Sequence, residues 1–261
     1  MAYLQVWVHP DHRRLGVGIA LVDEVEARSR ERGRTLLHTQ LRTGAGLEAN
    51  RRFAEQRGYR CDLVEVERRL PLPVDDARLA TLADDAAPHH EGYDVRVALG
   101  EFPPELRASY VALRNLLSAE APSGKTPLEE AGETLEDFVD NERRMQSAGR
   151  IHVTGYALHG ETVVAYAEAA VPTTGTHHVD QWGTLVHPAH RGHRLGMAVK
   201  CAQLRTLSAH FPDQTYVGTT NAEINSHMVA INAALGFEVH QVWGEFEKRL
   251  DAPAAQDPEI G

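Results

Sequence analysis

The chain has 261 residues, of which 42% are hydrophobic and 25% charged, a balance typical of a soluble globular protein with enough length for two domains. Its net charge of -10 argues against a nucleic-acid binder that works through overall attraction, and no apolar run approaches the ~20 residues of a membrane helix. With only two cysteines and no signal-peptide pattern, we expect a cytoplasmic protein without a disulfide framework.

The first 70 residues predict a short α/β unit. Residues 3–8 place aliphatic side chains at every second position, which favours a strand. A basic turn at 13–18 then leads into a helix that ends near Arg32. The next segments predict a strand, a helix and a strand, at 35–41, 47–57 and 61–70.

A second, longer unit is predicted over 93–250, after a proline-bracketed linker at 71–92 that contains a short helix. Its predicted strands are 93–99, 151–158, 162–171, 180–187, 216–220 and 238–250. Its predicted helices are 104–120, 134–147, 197–211 and 222–235. Residues 134–137 resemble a capping box, and residues 159–161 are a hairpin signal. The proline- and alanine-rich stretch 251–261 is expected to be a disordered tail.

The most informative stretch is 186–198, which reads as a strand end, a basic turn containing glycine, and the first turn of a helix. Such a turn directs free backbone N–H groups one way, with the positive end of the helix dipole behind them. That arrangement favours the binding of a phosphate or pyrophosphate.

This stretch has a second copy at a constant offset of 178 positions. The offset maps Pro10 onto Pro188, Arg13 onto Arg191 and, without any gap, Gly58 onto Gly236. A match held in register over this length indicates an internal duplication. The first copy lacks the part that supplies three strands and two helices in the second. Either the sequence is truncated or mis-started, which we expect, or the protein tolerates half a domain.

Both copies resemble the GNAT superfamily of acyl-CoA N-acyltransferases, whose pattern is a strand ending in Val-x-Pro, an Arg/Gln-x-x-Gly-x-Gly/Ala turn, and a helix. Residues 13–18 match the turn fully, whereas Arg194 replaces its first glycine in the second copy. Asn225, Asn232 and Gly236-Phe237 are similar to the family's downstream signature. The resemblance implies a duplicated α/β fold of the α+β type, a mixed and mostly antiparallel sheet flanked by helices. The domains would be a partial one at 1–70 and a complete one at 93–250.

The resemblance also implies acetyl-CoA as the acyl donor, bound where the sheet splays open beside the strand 180–187. Backbone groups of Leu185 and Val186 would pair with pantetheine, and Asn225 would hydrogen-bond its arm. The pyrophosphate would lie on the turn, whose residues are Arg191, Gly192, His193, Arg194, Leu195, Gly196, Met197 and Ala198. In the first copy Leu47 stands in place of Asn225, which favours a degenerate, structural role for that copy.

The residues that the family uses for proton transfer are missing. The usual tyrosine acid is Asn232 here and Ala54 in the first copy, and the usual glutamate base is Trp182. Asp180, interpreted as sharing a strand face with Trp182, Thr184 and Val186, is one candidate catalytic residue, and Glu168 is the other. For both, a solvated or capping carboxylate is the alternative interpretation.

The resemblance predicts transfer of an acetyl group to an amine, on a small molecule or a protein, in the second domain. The alternative is a non-catalytic acyl-CoA-binding or scaffolding protein with degenerate GNAT domains. We expect no nucleic-acid or membrane partner. His187, His190 and His193 have spacing that suggests a metal, but they lie within a phosphate cradle without a nearby cysteine or acidic ligand, so no metal is expected.

Overall fold

The computed structural model describes residues 1–120 and 132–250, so the predicted tail at 251–261 lies outside the described residues. The strands in chain order are β1 (Ala2–Tyr3), β2 (Leu36–Thr43), β3 (Arg60–Pro71), β4 (Asp94–Leu99), β5 (Arg150–His159), β6 (Thr162–Pro172), β7 (His178–Val186), β8 (Tyr216–Ala222) and β9 (Glu238–Arg249). The α-helices are α1 (Val17–Glu31), α2 (Glu48–Gln56), α3 (Asp76–Ala86), α4 (Arg107–Glu120), α5 (Leu135–Ser147), α6 (Leu195–His210) and α7 (Ser226–Leu235).

The chain divides into two compact units, and both boundaries fall inside strands. Unit 1 contains Met1–Val66 and the chain from Gln241, and unit 2 contains Glu67–His240. In unit 1, β1 pairs with β2 in parallel and β2 pairs with β9 in antiparallel fashion. The core of this unit is a small apolar cluster that includes Val22, Leu37 and Phe246.

In unit 2, β4, β5, β6 and β7 form an antiparallel array, and β7 pairs with β8 in parallel. One face of this sheet packs against α4 and α5 through aromatic side chains such as Tyr110, Tyr156 and Tyr166. The other face packs against α6. A mixed, mostly antiparallel sheet with helices on both faces confirms the predicted fold class.

The α6 face is lined by small residues, which lets the helix approach the strands closely. Ala157, Ala165 and Ala167 pack against Leu195 and Val199 of α6 in one buried cluster. A Cβ atom added to Gly155 of β5 would lie 2.2 Å from the carbonyl oxygen of Val199, so only glycine fits there.

Most predicted elements are present, and the capping box at Thr134 is confirmed because its hydroxyl accepts from the N–H of Asp137 while that carboxylate accepts from Thr134. The short helix predicted within the linker at 71–92 is present as α3. Its burial is not predicted, since Leu79 of that helix lies fully buried in the core of unit 2. The last predicted strand also differs, since its residues from Gln241 belong to unit 1.

Two elements have boundaries that differ from those predicted. The predicted strand at 3–8 retains only Ala2–Tyr3 as hydrogen-bonded β-structure, although alternation of burial continues to Val8. The predicted helix from Ala222 begins at Ser226, because Asn225 caps it with its side chain and Ala222 still belongs to β8. In the described part of the chain, no helix has both the length and the apolar content to cross a membrane.

Candidate active site

The two basic turns have the same local backbone. Each begins with a short 3-10 helix, Pro10–His12 in one copy and Pro188–His190 in the other. In each, an arginine Nε donates back to the carbonyl of the valine two residues before the proline, from Arg13 to Val8 at 3.0 Å and from Arg191 to Val186 at 3.4 Å. The sequence offset of 178 is therefore matched by equivalent hydrogen bonds in the two copies.

Each turn uses two left-handed residues, one of which is an arginine. In the first copy these are Arg14 (φ 65°) and Gly16 (φ 83°). In the second they are Gly192 (φ 86°) and Arg194 (φ 51°). The arginine that replaces the usual glycine at 194 thus keeps the left-handed conformation that glycine would adopt.

Helix α6 begins without a side-chain cap, and its first turn contains no acidic residue. By contrast, Asp75, Thr134 and Asn225 cap α3, α5 and α7. The Arg194 guanidinium turns away to the carbonyl oxygen of Asp85 at 3.0 Å. Uncapped N–H groups at the start of a helix of this length favour an anion, so the turn fits a pyrophosphate.

Beside this turn, β7 and β8 separate. Their parallel pairing joins His178 with Tyr216 and ends where Asp180 meets Gly218. From Gln181 to Val186 the β8 side of β7 is therefore not engaged in the ladder, and Leu185 and Val186 lie in this stretch. Freed backbone groups at a sheet opening fit the amides of a pantetheine arm.

A β-bulge interrupts β7 and overturns part of the predicted face assignment. Thr184 pairs with Ala167 but Gln181 pairs with Ala169, so two residues of β7 oppose Glu168. The two residues of the bulge, Trp182 and Gly183, both face α4, because the Trp182 ring contacts His152 and a Cβ on Gly183 would lie 2.8 Å from Leu117.

The prediction that Asp180, Trp182, Thr184 and Val186 share one face is consequently wrong. Asp180 pairs with Ala170 and Trp182 contacts His152 on the α4 face, whereas Thr184 and Val186 pair with alanines of the α6 face. The bulge is the cause, because one added residue reverses the alternation, so that side chains at alternate positions before and after it point to opposite faces of the sheet.

The two candidate carboxylates have different surroundings. Glu168 is 3% exposed and contacts Arg114 and the His152 Nδ1, the latter at 3.2 Å. Burial raises the pKa of Glu168, but the hydrogen bond from His152 and the charge of Arg114 outweigh it and hold that pKa below its usual range. Glu168 therefore stays ionised, and both of its carboxylate oxygens are already paired, one with Arg114 and one with His152.

Asp180 is the more accessible of the two, with about a third of its side chain exposed. Its carboxylate oxygens lie 2.9 Å from Arg150 and 3.4 Å from His178. Both candidates lie on the α4 face, where Ala170 stands between His152 on β5 and Asp180 on β7.

On the other side of the opening, Asn225 accepts from the N–H of Met228 at 3.3 Å. Among residues 1–120 and 132–250, its Nδ2 has no hydrogen-bond partner and remains a free donor. Asn232 is fully buried and donates to Asn221 at 2.8 Å, and its Oδ1 lacks a partner in the described part of the chain.

The turn histidines interact with aromatic neighbours. His190 Nδ1 lies 3.0 Å from the Tyr93 hydroxyl, and His193 Nδ1 lies 3.0 Å from the carbonyl oxygen of His89. Burial, followed by the nearby His159, His187 and His193, lowers the pKa of His190. In the described ranges, no three histidine, cysteine or acidic side chains form a group that could hold a metal ion.

The sequence interpretation missed Arg114 and His152, which surround Glu168. Arg114 comes from α4 and is distant in sequence, so no local pattern points to it. His152 could have been found from the hairpin register, since Thr154 faces Glu168 across β5 and β6 and His152 is the next residue on that face.

Comparison with known proteins agrees with this architecture. Residues 1–59 match the sequence model of the Acetyltransferase (GNAT) family. A tandem GNAT protein from the clavulanic acid biosynthesis pathway, solved without AcCoA, is 27% identical, with a TM-score of 0.72 over 94% of this chain and 73% of its own. No curated protein matches the chain.

More distant structures share the fold. A GCN5-related N-acetyltransferase from Sphaerobacter thermophilus is 16% identical, with a TM-score of 0.61 over 93% of this chain and 70% of its own. A fungal glucosamine N-acetyltransferase region, within a multi-domain β-N-acetylglucosaminidase, is 14% identical, with a TM-score of 0.62 over 94% of this chain and 29% of its own.

The duplicated turn, the opened mixed sheet and these matches define a GNAT-type fold. The matches are consistent with a tandem-domain protein of the GNAT superfamily. The similarity supports acyl-CoA N-acyltransferase activity as the general class of function.

Proposed function

We propose that the protein transfers an acetyl group from acetyl-CoA directly to an amine, at a site in the second copy of the repeat. The observation that carries the proposal is the separation of β7 and β8 after Asp180, beside the uncapped start of α6. The first copy has an equivalent turn, but Leu47 begins α2 without a side-chain cap where Asn225 caps α7, so we assign that copy a structural role.

In this proposal, acetyl-CoA supplies the activated thioester, and this chain's residues bind and orient it. Backbone groups of Leu185 and Val186 would pair with pantetheine. Turn N–H groups between Arg191 and Ala198 would hold the pyrophosphate. The free Nδ2 of Asn225 would donate to a pantetheine carbonyl.

Proton transfer would then depend on the α4 face. Asp180 is exposed enough to hold an incoming ammonium, and its carboxylate would oppose the charge of that group. Glu168 is a poor proton acceptor in its own right, because Arg114 and His152 already stabilise its ionised form. With Asn232 in place of a tyrosine, the thiolate would leave unaided or take a proton from another group.

The alternative, a protein that binds acyl-CoA without turnover, is favoured by one observation. Asn232 is fully buried and hydrogen-bonded to Asn221, so the position of the usual acid is occupied by a side chain that cannot deliver a proton. Binding of acetyl-CoA would not distinguish the two proposals.

Thiol release does distinguish them. The full chain would be incubated with acetyl-CoA and a panel of primary amines, namely glucosamine, spermidine, L-lysine and a peptide with a free N-terminus. We expect amine-dependent release of CoA thiol with at least one of them, together with a product heavier by one acetyl group. Binding of acetyl-CoA by calorimetry without turnover of any amine would favour the non-catalytic alternative.

The variant Asn225→Ala tests the proposed placement of acetyl-CoA. Removal of the Nδ2 donor should weaken acetyl-CoA binding by about 1–2 kcal/mol, or roughly 5- to 30-fold in Kd measured by calorimetry. Asn225→Asp is the matched control for folding, because a carboxylate still accepts from Met228 but cannot donate. An unchanged Kd in both variants would contradict this placement of pantetheine.

A further inference from the structure

We propose that His152 is the general base of this site and that Glu168 positions it. This inference rests on the proposed acetyl transfer and names the group that accepts the proton from the amine. The group that this site would recognise is a primary ammonium. It would approach the face of β5, β6 and β7 that packs against α4.

The geometry is that of a carboxylate–histidine pair. Oε1 of Glu168 lies 3.2 Å from Nδ1 of His152, and Arg114 occupies the other carboxylate oxygen. The backbone carbonyl of Glu168 accepts separately from Gln181 at 2.7 Å. Because an ionised carboxylate only accepts hydrogen bonds, it fixes the proton on Nδ1 and leaves a lone pair on Nε2.

The second ring nitrogen of His152, Nε2, has no structural role in this arrangement. His152 is 8% exposed, and its Nε2 is buried without a hydrogen-bond partner in the described part of the chain. An unpaired buried polar atom is costly, so a structural histidine would be expected to have a protein partner at both nitrogens. A proton donor carried by the acceptor amine would satisfy Nε2.

The position of the pair relative to the bulge supports the assignment. Trp182, one of the two bulged residues, stands edge-on to the His152 ring with their centroids 5.3 Å apart. Asp180 follows on the same face, across Ala170 from His152. The pair therefore lies near the point at which β7 separates from β8, where the thioester would be held.

Several charged or titratable groups surround the pair and enter its pH dependence. On α4 and the segment that follows it, they are Arg114, Tyr110 and Glu133, which is 2.9 Å from Arg114. On the strands they are Glu168, Tyr166, Asp180 and Arg150. Arg114 and His152 are paired with the two oxygens of the same Glu168 carboxylate, so Arg114 partly balances the charge that Glu168 presents to His152.

Nε2 takes one proton from R–NH₃⁺, and the freed nitrogen lone pair forms a C–N bond with the thioester carbonyl carbon. The C–S bond then breaks, and the second proton lost by nitrogen passes to the departing sulfur. His152 returns its proton to water, and the products are the N-acetyl amine and CoA thiol.

The test is His152→Asn in the full chain, assayed with the amine that the wild-type protein acetylates. The asparagine amide can still donate to Glu168 but has no group at the place of Nε2. We expect kcat/KM to fall about 10²- to 10⁴-fold and the acidic limb of its pH profile to disappear, with the Kd of acetyl-CoA unchanged. His38→Asn is the matched control, since it alters another part-buried histidine beside a carboxylate, 2.6 Å from Glu245.

A second measurement does not depend on turnover. Side-chain ¹⁵N spectra of the wild-type protein should show His152 as the Nδ1–H tautomer at neutral pH, with Nε2 unprotonated. A His152 that is doubly protonated up to high pH, or protonated on Nε2, would overturn the inference. So would an active His152→Asn protein with an unchanged pH profile, and in that case the proposed acetyl transfer would stand. Absence of wild-type turnover with every amine would instead overturn the proposed function, and this inference with it.

Discussion

Replacement of Gly155 by alanine is expected to destabilise the protein by about 3 kcal/mol or more. The new methyl group would lie 2.2 Å from the carbonyl oxygen of Val199 and 3.2 Å from Cβ of Gln203. The first of these atoms is helix backbone, which cannot rotate away, so α6 as a whole must shift from the sheet. Because the same helix carries the basic turn, we also expect weaker acetyl-CoA binding.

Urea denaturation followed by circular dichroism measures the effect. Gly218→Ala is the matched control, since it is also a strand glycine but its added Cβ would meet its nearest neighbour, a Tyr216 ring atom, at 3.5 Å. We expect the control to change the free energy of unfolding by less than ~1 kcal/mol. Equal unfolding midpoints for the two variants would show that α6 does not depend on this contact.

Replacement of Lys200 by methionine should act in the opposite direction and stabilise the protein by about 3 kcal/mol at neutral pH. Lys200 is 1% exposed on α6, and no carboxylate among residues 1–120 and 132–250 forms an ion pair with it. Its ammonium lies over the Phe237 ring, 5.4 Å from the centroid, which is a weak favourable contact. Burial lowers the pKa of Lys200 to about 7, so the protein bears a desolvation cost that methionine of similar length would remove.

The pH dependence has a definite sign. The unfolded chain holds the lysine proton up to its ordinary pKa of 10.5, whereas the folded chain releases it near pH 7. Between those values the unfolded state binds more protons, so the wild-type free energy of unfolding should rise with pH, by up to ~1.4 kcal/mol per pH unit from this group. The advantage of Lys200→Met should therefore be largest at pH 7 and below and should shrink towards pH 10. A constant difference between the two proteins over this range would contradict the assigned pKa.

The sequence predicted those parts of the fold that local pattern controls. Helices and strands followed from hydrophobic period, the start of α5 from the Thr134 capping box, and the duplicated turn from a constant offset. The fold class followed from the family resemblance, and the comparisons support it. The cofactor residues could be proposed for the same reason, because a binding turn is contiguous in sequence.

The site on the α4 face could not be assembled in this way. Its members come from α4, β5, β6 and β7, and their proximity depends on strand register and helix packing rather than on sequence spacing. The bulge at Trp182 and Gly183 had no signal that simple alternation could detect, so Thr184 and Val186 were assigned to the wrong face. Burial of Leu79 within the predicted linker could not be foreseen either, because it depends on the shape of the unit 2 core and not on the local proline content.

The two turns carry their left-handed arginine at different positions. Each turn pairs one glycine with one arginine at positive φ, but in reversed order, Arg14 before Gly16 and Gly192 before Arg194. A left-handed arginine costs roughly 1–2 kcal/mol, so each copy carries a similar conformational cost at a different position. The strained residue thus differs in position between the two loops, while both loops keep left-handed residues at the same two equivalent positions. The two turns therefore have equivalent backbone conformations. A chimera in which residues 13–18 replace residues 191–196 should keep the conformation of the second turn.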